Sequence, residues 1–157
     1  MRALLTLTAV LLFGCQTSPP VQKEPRPASG EVVLSLQRTP CFGACPVYLV
    51  EVLGDGTLRF KGERHVAVTE PVELKLEPAT MKQLFARVDG TDFAGWKDFT
   101  NVNASDAPTV VLTYKGHTVR HYRGDDAAPA ELTKLEDDVD AILGTARWTK
   151  GTGTETK

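Results

Sequence analysis

The sequence has little of what most enzymes display. Serine is scarce: beyond residue 30 only Ser35 and Ser105 remain, and neither sits in the G-x-S-x-G turn that exposes a nucleophile. There is no H-E-x-x-H pair and no glycine-rich phosphate loop. Basic runs are missing, and 18 Lys and Arg against 20 Asp and Glu leave a formal net charge of −2. That balance argues against nucleic acid as a partner. The one long apolar run, Ala3 to Phe13, falls short of the roughly 20 residues that span a bilayer. Nothing after residue 15 reads as a second span. Serine hydrolases, zinc proteases and phosphate-loop enzymes lose their usual signatures, and the sequence implies no catalytic residue and no cofactor.

What is present begins at the N-terminus. Met1-Arg2 followed by the short apolar run suits the core of a signal peptide. The run ends in Leu12-Phe13-Gly14-Cys15, which resembles the lipobox of bacterial lipoproteins, with Leu at −3, a small residue at −1 and then the obligatory cysteine. Phe13 departs from the small residue usual at −2. The resemblance implies a signal peptide over 1–14, acyl chains on Cys15 and membrane attachment through them. Each buried CH2 contributes about 0.8 kcal/mol, so two or more chains anchor stably. Gln16 stands where an Asp would retain such a protein at the inner membrane, which implies an outer-membrane lipoprotein, periplasmic or surface-facing. Residues 15–30 carry Pro19, Pro20, Pro25 and Pro27 and only Val21 as a sizeable apolar side chain. That is a tether, with a flexible span of roughly 20 Å. Residues 149–157 are Thr, Gly, Lys and Glu, the composition of a disordered tail.

Between them, 31–148 reads as one domain. Val32, Leu34 and Leu36 alternate with polar or smaller residues as on a half-buried strand, and Tyr48, Val50 and Val52 share a face of a second. Gly54-Asp55-Gly56 is a hairpin turn leading to Leu58 and Phe60. A further extended stretch is expected over 66–76, interrupted by Pro71. Pro78 suits the first turn of a helix, with Met81, Leu84, Phe85 and Val88 on one face and Gly90 at its end. Residues 91–107 are irregular, with Phe93, Trp96 and Phe99 expected over a core edge. Two strands joined at Lys115-Gly116 follow, then a helix from Pro129 with Leu132, Leu135, Val139, Ile142 and Leu143 inward and Gly144 at its end. The order β-β-β-β-α-β-β-α, with short connections, predicts an α+β fold: a mainly antiparallel sheet with two helices on one face.

Export sets the redox compartment, since the periplasm and cell surface favour disulfides. Of three cysteines, lipidation takes Cys15 and leaves Cys41 and Cys45 as a pair. A disulfide closing this five-residue ring contributes about 2 kcal/mol by the loop-entropy model. The alternative is a thiol-redox or copper-handling centre. Cys41-x-x-x-Cys45-Pro46 resembles the motif of thioredoxin-like copper chaperones, which hold Cu(I) with two thiolates and a distant histidine, and soft sulfur suits that ion. In that family the motif opens a helix, whose dipole lowers the thiol pKa; here a strand, a turn and a strand follow. Zinc prefers C-x2-C or C-x4-C with two further ligands. His117 and His121, on one strand, stand about 13 Å apart at ~3.3 Å per residue and cannot share a metal. They and His65 read as surface residues.

Glu136, Asp137, Asp138 and Asp140 read as the solvated face of the last helix, and Asp125-Asp126 as turn residues. Arg38 ends the first strand, Tyr48 starts the second, and the cysteine loop with Phe42 joins them. Asp106, just before Pro108, is placed to approach the same end of the sheet. Arg38, Phe42, Tyr48 and Asp106 are therefore the candidate binding residues, with an Arg38–Asp106 ion pair bracing the loop as the structural alternative. Arg38 to Tyr48, RTPCFGACPVY, followed by the GDG turn at 54–56, resembles a family of exported bacterial domains, often lipoproteins, known only as a domain of unknown function. Its later motifs D-x-P-T and LE-x-x-[IV]D match Asp106 to Thr109 and Leu135 to Asp140. The resemblance implies that 38–48 matters and supplies no activity. The expectation is a non-catalytic envelope module that binds a protein partner.

Overall fold

A computed structural model describes residues 30–102 and 106–150. The signal segment, Cys15, the tether as far as Ser29 and the tail beyond Lys150 lie outside the described residues. The chain forms strands β1 (Val32–Arg38), β2 (Val47–Leu53), β3 (Thr57–Arg64) and β4 (Val72–Lys75), then helix α1 (Pro78–Asp89). Strands β5 (Thr109–Tyr114) and β6 (His117–Tyr122), helix α2 (Ala130–Leu143) and a one-turn α3 (Ala146–Thr149) complete it. The six strands make one sheet in the order β4-β3-β2-β1-β5-β6, antiparallel at every step. This is the α+β fold that the sequence predicts.

The topology follows from the connections. Short links, the tightest of them at 54–56, carry β1 through β4 outward as a meander, because a short link joins only antiparallel neighbours. Helix α1 then returns the chain to the free side of β1, where β5 pairs. In the Gly54-Asp55-Gly56 turn, Gly56 takes φ 84°, a left-handed conformation that glycine adopts without steric cost. The Asp55 carboxylate accepts from the Thr57 amide at 2.9 Å and from Lys75 at 2.8 Å, tying the turn to β4. A bulge between Val32 and Leu34 turns both Val33 and Leu34 inward.

The extended stretch expected over 66–76 pairs only from Val72 to Lys75. Pro71 has no amide to donate. The chain before it leaves the sheet plane, and the Ala67 and Val68 amides donate instead to the Trp148 carbonyl at 2.9 and 3.0 Å. Gly62 makes this fold-back possible, since a Cβ there would collide with the Val68 carbonyl. The two sheet edges are protected differently. β4 is short and charged, one of the usual defences of an edge, and β6 is capped by Phe99, which exchanges backbone bonds with Arg120 and Tyr122 at 2.8 Å.

Both helices cover one face of the sheet, over a core of Leu34, Leu36, Val50, Phe60, Leu84, Leu112, Leu132, Leu135 and Leu143, each at most 1% exposed. Helix α1 lies toward the hairpin-turn end: its Phe85 ring is 5.8 Å from Tyr114. Helix α2 spans from β6 across β1 to β3, where the Trp148 ring just beyond it lies 4.8 Å from Phe60. Gly144 ends α2 at φ 65°, the left-handed cap that frees the chain to reach Trp148. Arg87 joins the helices by donating to Asp138 at 2.6 Å and Glu131 at 2.7 Å. Among the described residues no helix is long and apolar enough to cross a membrane.

Candidate functional site

The loop between β1 and β2 stands at the end of the sheet under α2. Cys41 and Cys45 form a disulfide, with Cα atoms 5.7 Å apart. Pro40 and Pro46 flank it and cannot extend either strand. The base of the loop is stitched to β5: the Thr39 amide donates to the Thr109 carbonyl at 3.0 Å, and the Thr109 amide returns a bond to Thr39 Oγ1 at 2.9 Å. Near the tip, the Phe42 amide donates to the Asp106 carbonyl at 3.4 Å. The Phe42 side chain points away from all of this and is 87% exposed, the most exposed large hydrophobe among the described residues.

Below the loop is a polar brace. Arg38 Nε donates to Asp140 Oδ2 at 2.8 Å, and the Tyr48 hydroxyl donates to Asp140 Oδ1 at 2.6 Å. Thr145, just past the end of α2, donates to the same Oδ1 at 2.8 Å. Arg38 also reaches Asp137 at 3.1 Å. Arg38 and Asp140 side chains are each 16% exposed, so this is a largely desolvated pair. Burial raises the Tyr48 phenol pKa well above its ordinary value, and the Asp140 charge raises it further against the opposing effect of Arg38. Burial disfavours the Arg38 cation, and Asp140 and Tyr48 together more than restore it, so Arg38 stays charged.

A second brace adjoins the first one turn earlier on α2. His121 Nδ1 donates to Glu136 Oε1 at 2.8 Å, with both side chains at most 2% exposed. Arg123 Nε lies 2.8 Å from Glu136 Oε2, an ion contact in which the N–H does not point along the line to the oxygen. Its other nitrogen donates to Asp137 at 2.6 Å. Asp137 thus bridges Arg38 and Arg123. Burial raises its pKa, but the Arg123 bond and the two arginine charges outweigh that and hold it below the ordinary carboxylate range.

These contacts correct two expectations. Glu136 and Asp140 are not on a solvated helix face; they point inward and carry the braces, because Arg38, Arg123 and His121 await them on the sheet. His121 is buried rather than a surface residue, since β6 turns Val119 and His121 to the same inner side. His117 is half-buried and bonded to the Trp96 carbonyl at 3.0 Å, and His65 is exposed as expected. Asp125 does serve a turn, accepting from the Asn101 and Ala127 amides at 2.8 and 3.0 Å. Of the four candidate residues, the structure brings Arg38 and Tyr48 together on Asp140. Asp106 meets the loop through its backbone, and the carboxylate partners of Arg38 are Asp140 and Asp137.

The arrangement ties the bridged loop end of the sheet to α2 through charged and hydrogen-bonded side chains. Both oxygens of Asp140 accept hydrogen bonds, and those of Glu136 are held by the His121 bond and the Arg123 ion contact, so the two carboxylates join α2 to the strands. The disulfide sits in the link between β1 and β2, not at the start of a helix as in the copper-chaperone motif. Among the described residues no group of three or more His, Cys, Asp or Glu is placed to hold a metal ion.

An antiparallel six-stranded α+β domain with a bridged loop at one sheet end, anchored to an inward-facing acidic helix, is the class these features define. Residues 32–143 match the family described as Domain of unknown function (DUF6438), and the chain belongs to it. No curated protein matches the chain.

Proposed function

We propose that the domain is a non-catalytic binding module of the bacterial cell envelope. It is held to the outer membrane by acyl chains on Cys15 and presents the Cys41–Cys45 loop to a protein partner. One observation carries this reading: Phe42 is 87% exposed on a loop bridged by a disulfide and stitched to β5 at its base. Exposing an aromatic ring to water has a cost in solubility, and a rigid loop lowers the entropy lost when that ring enters a partner's pocket. The resemblance of Arg38-to-Tyr48 and of Leu135-to-Asp140 to motifs of one family supports it as well, because both segments contribute residues to one brace. Their pairing orients the loop; the ring at its tip makes contact. Site-specific photo-crosslinking in cells tests the reading. A photoreactive residue at position 42 is expected to give a discrete adduct that disappears in the Cys41→Ser/Cys45→Ser variant. The same probe at Lys61, exposed on the bare sheet face, is expected to give none. Equal labelling from both positions would overturn the proposal.

A further inference from the structure

Exposed large hydrophobes are few among the described residues, and the two most exposed share one end of the sheet: Phe42 at 87% and Val102 at 67%. The loops that carry them are tied to one another. The Phe42 amide donates to the Asp106 carbonyl. Four residues of chain reach at most about 14 Å, which keeps Val102 within that distance of Asp106. On the other side of Val102, the Asn101 amide donates to the Asp125 carboxylate at 2.8 Å. Val102 and Asp126 therefore each adjoin a residue of that bond. One exposed hydrophobe would be ordinary; two on linked loops make a patch.

Charge is distributed unevenly around this patch. The segments that build this end, 38–48, 99–108 and 123–140, hold eight Asp and Glu against three Lys and Arg, a net of −5 in a chain whose total is −2. The cations among them are the better satisfied. Arg38 and Arg123 are largely covered and committed to the braces, and Lys134 is paired with Asp138. Asp137 stays more than half exposed. Asp126 is exposed and has no ion pair among the described residues. Water therefore meets an apolar patch with a negative rim. That rim discriminates between the surfaces that could bury an aromatic ring. A second copy of this chain would bring a like-charged end against this one, and an anionic lipid surface would be repelled as well, whereas a cationic protein surface is attracted.

We infer that the partner of the bridged loop is a protein whose receiving pocket is rimmed by lysine or arginine, and that Val102 makes a second apolar contact beside Phe42. The inference rests on the binding role proposed above for the loop and adds the partner's charge and the second contact. Phe42 fills the pocket, Val102 covers its edge, and the acidic rim steers the encounter and rejects anionic surfaces.

Photo-crosslinking of the full chain in cells tests it, with p-benzoylphenylalanine at position 42 or, separately, at position 102, and the attachment site on the adduct mapped by mass spectrometry. Both positions are expected to give an adduct of the same mass, attached within a lysine- or arginine-rich surface. Asp126→Lys is expected to lower the yield from position 42 by roughly threefold or more. Glu73→Lys, the same change of charge on the bare face of the sheet, is expected to leave it unchanged. In lysed cells the yield from the parent chain is expected to fall as NaCl is raised, a readout that needs no charge substitution. A position-42 adduct that resists both Asp126→Lys and salt, that Glu73→Lys weakens equally, that maps to an acidic surface, or that has no counterpart at position 102 would overturn the inference and leave the loop's binding role standing. No adduct at all from position 42 would overturn both.

Discussion

The two ends of the sheet are held by opposite means. At the hairpin-turn end, glycine turns and apolar contacts from α1 do the work, and the ion pairs there are exposed: Lys115–Asp89 has both side chains about half in water, as does Arg59–Glu73. At the loop end, desolvated charges sit under α2, and Glu136 and His121 are removed from water altogether. An exposed pair contributes about 0–1 kcal/mol, whereas breaking a buried pair from one side costs about 3–5 kcal/mol because the other charge is stranded. A network of that cost placed beneath a disulfide loop fixes the loop's direction more firmly than side-chain packing would, since each bond has a preferred line.

The largest effect is therefore expected from Asp140→Ala, which removes the less exposed of the two carboxylates that hold Arg38 and leaves Tyr48 and Thr145 without their side-chain acceptor. It should destabilise the domain by about 3 kcal/mol in urea unfolding. Asp89→Ala at the other end should cost no more than about 0.5 kcal/mol. Equal losses would end the contrast. Next, Cys41→Ser/Cys45→Ser should lower stability by about 2 kcal/mol without changing the far-ultraviolet circular dichroism. Acid sharpens the comparison further. Asp137 titrates below its ordinary value in the folded chain, so its contribution is present above the unfolded carboxylate pKa, about 3.9, and is lost as pH falls through the lower folded value. The urea midpoint should drop between pH 6 and pH 3, and Asp137→Asn should show a smaller drop. The smallest effect belongs to Phe42→Ala: because the ring is solvent-exposed, the unfolding midpoint should move by less than about 0.5 kcal/mol, while crosslinking around the loop is lost.

The hairpin-turn end was readable from the sequence for the same reason that it is simple. Gly-Asp-Gly, Lys-Gly and the 3.6-residue spacing of α1 are local signals, and local signals survive in a single sequence. The loop end depends on contacts about a hundred residues apart, such as Arg38 with Asp140. Part of it was nonetheless legible. Leu132, Leu135, Glu136, Val139, Asp140 and Leu143 recur at the spacing of one helical stripe, which places both acids inward. Residue type misled, because Asp and Glu are seldom buried without partners, and the partners lay on distant strands. His121 was hidden likewise: period-two alternation with Val119 places it inside, against the usual reading of a polar strand residue. The disulfide was accessible from the cysteine count together with the expected oxidising compartment. The exposure of Phe42 was not, since no local pattern distinguishes a loop phenylalanine that packs from one that does not.

Mass-spectrometric thiol counting on the full chain purified without reductant, with copper analysis of the same sample, tests most directly whether the loop is a fixed platform. The account predicts no alkylation at Cys41 or Cys45 in the folded chain, full alkylation of both after unfolding with reductant, and no stoichiometric copper. Two thiols that react readily in the folded protein, or copper near one per chain, would contradict it and make the cysteine pair itself the working centre.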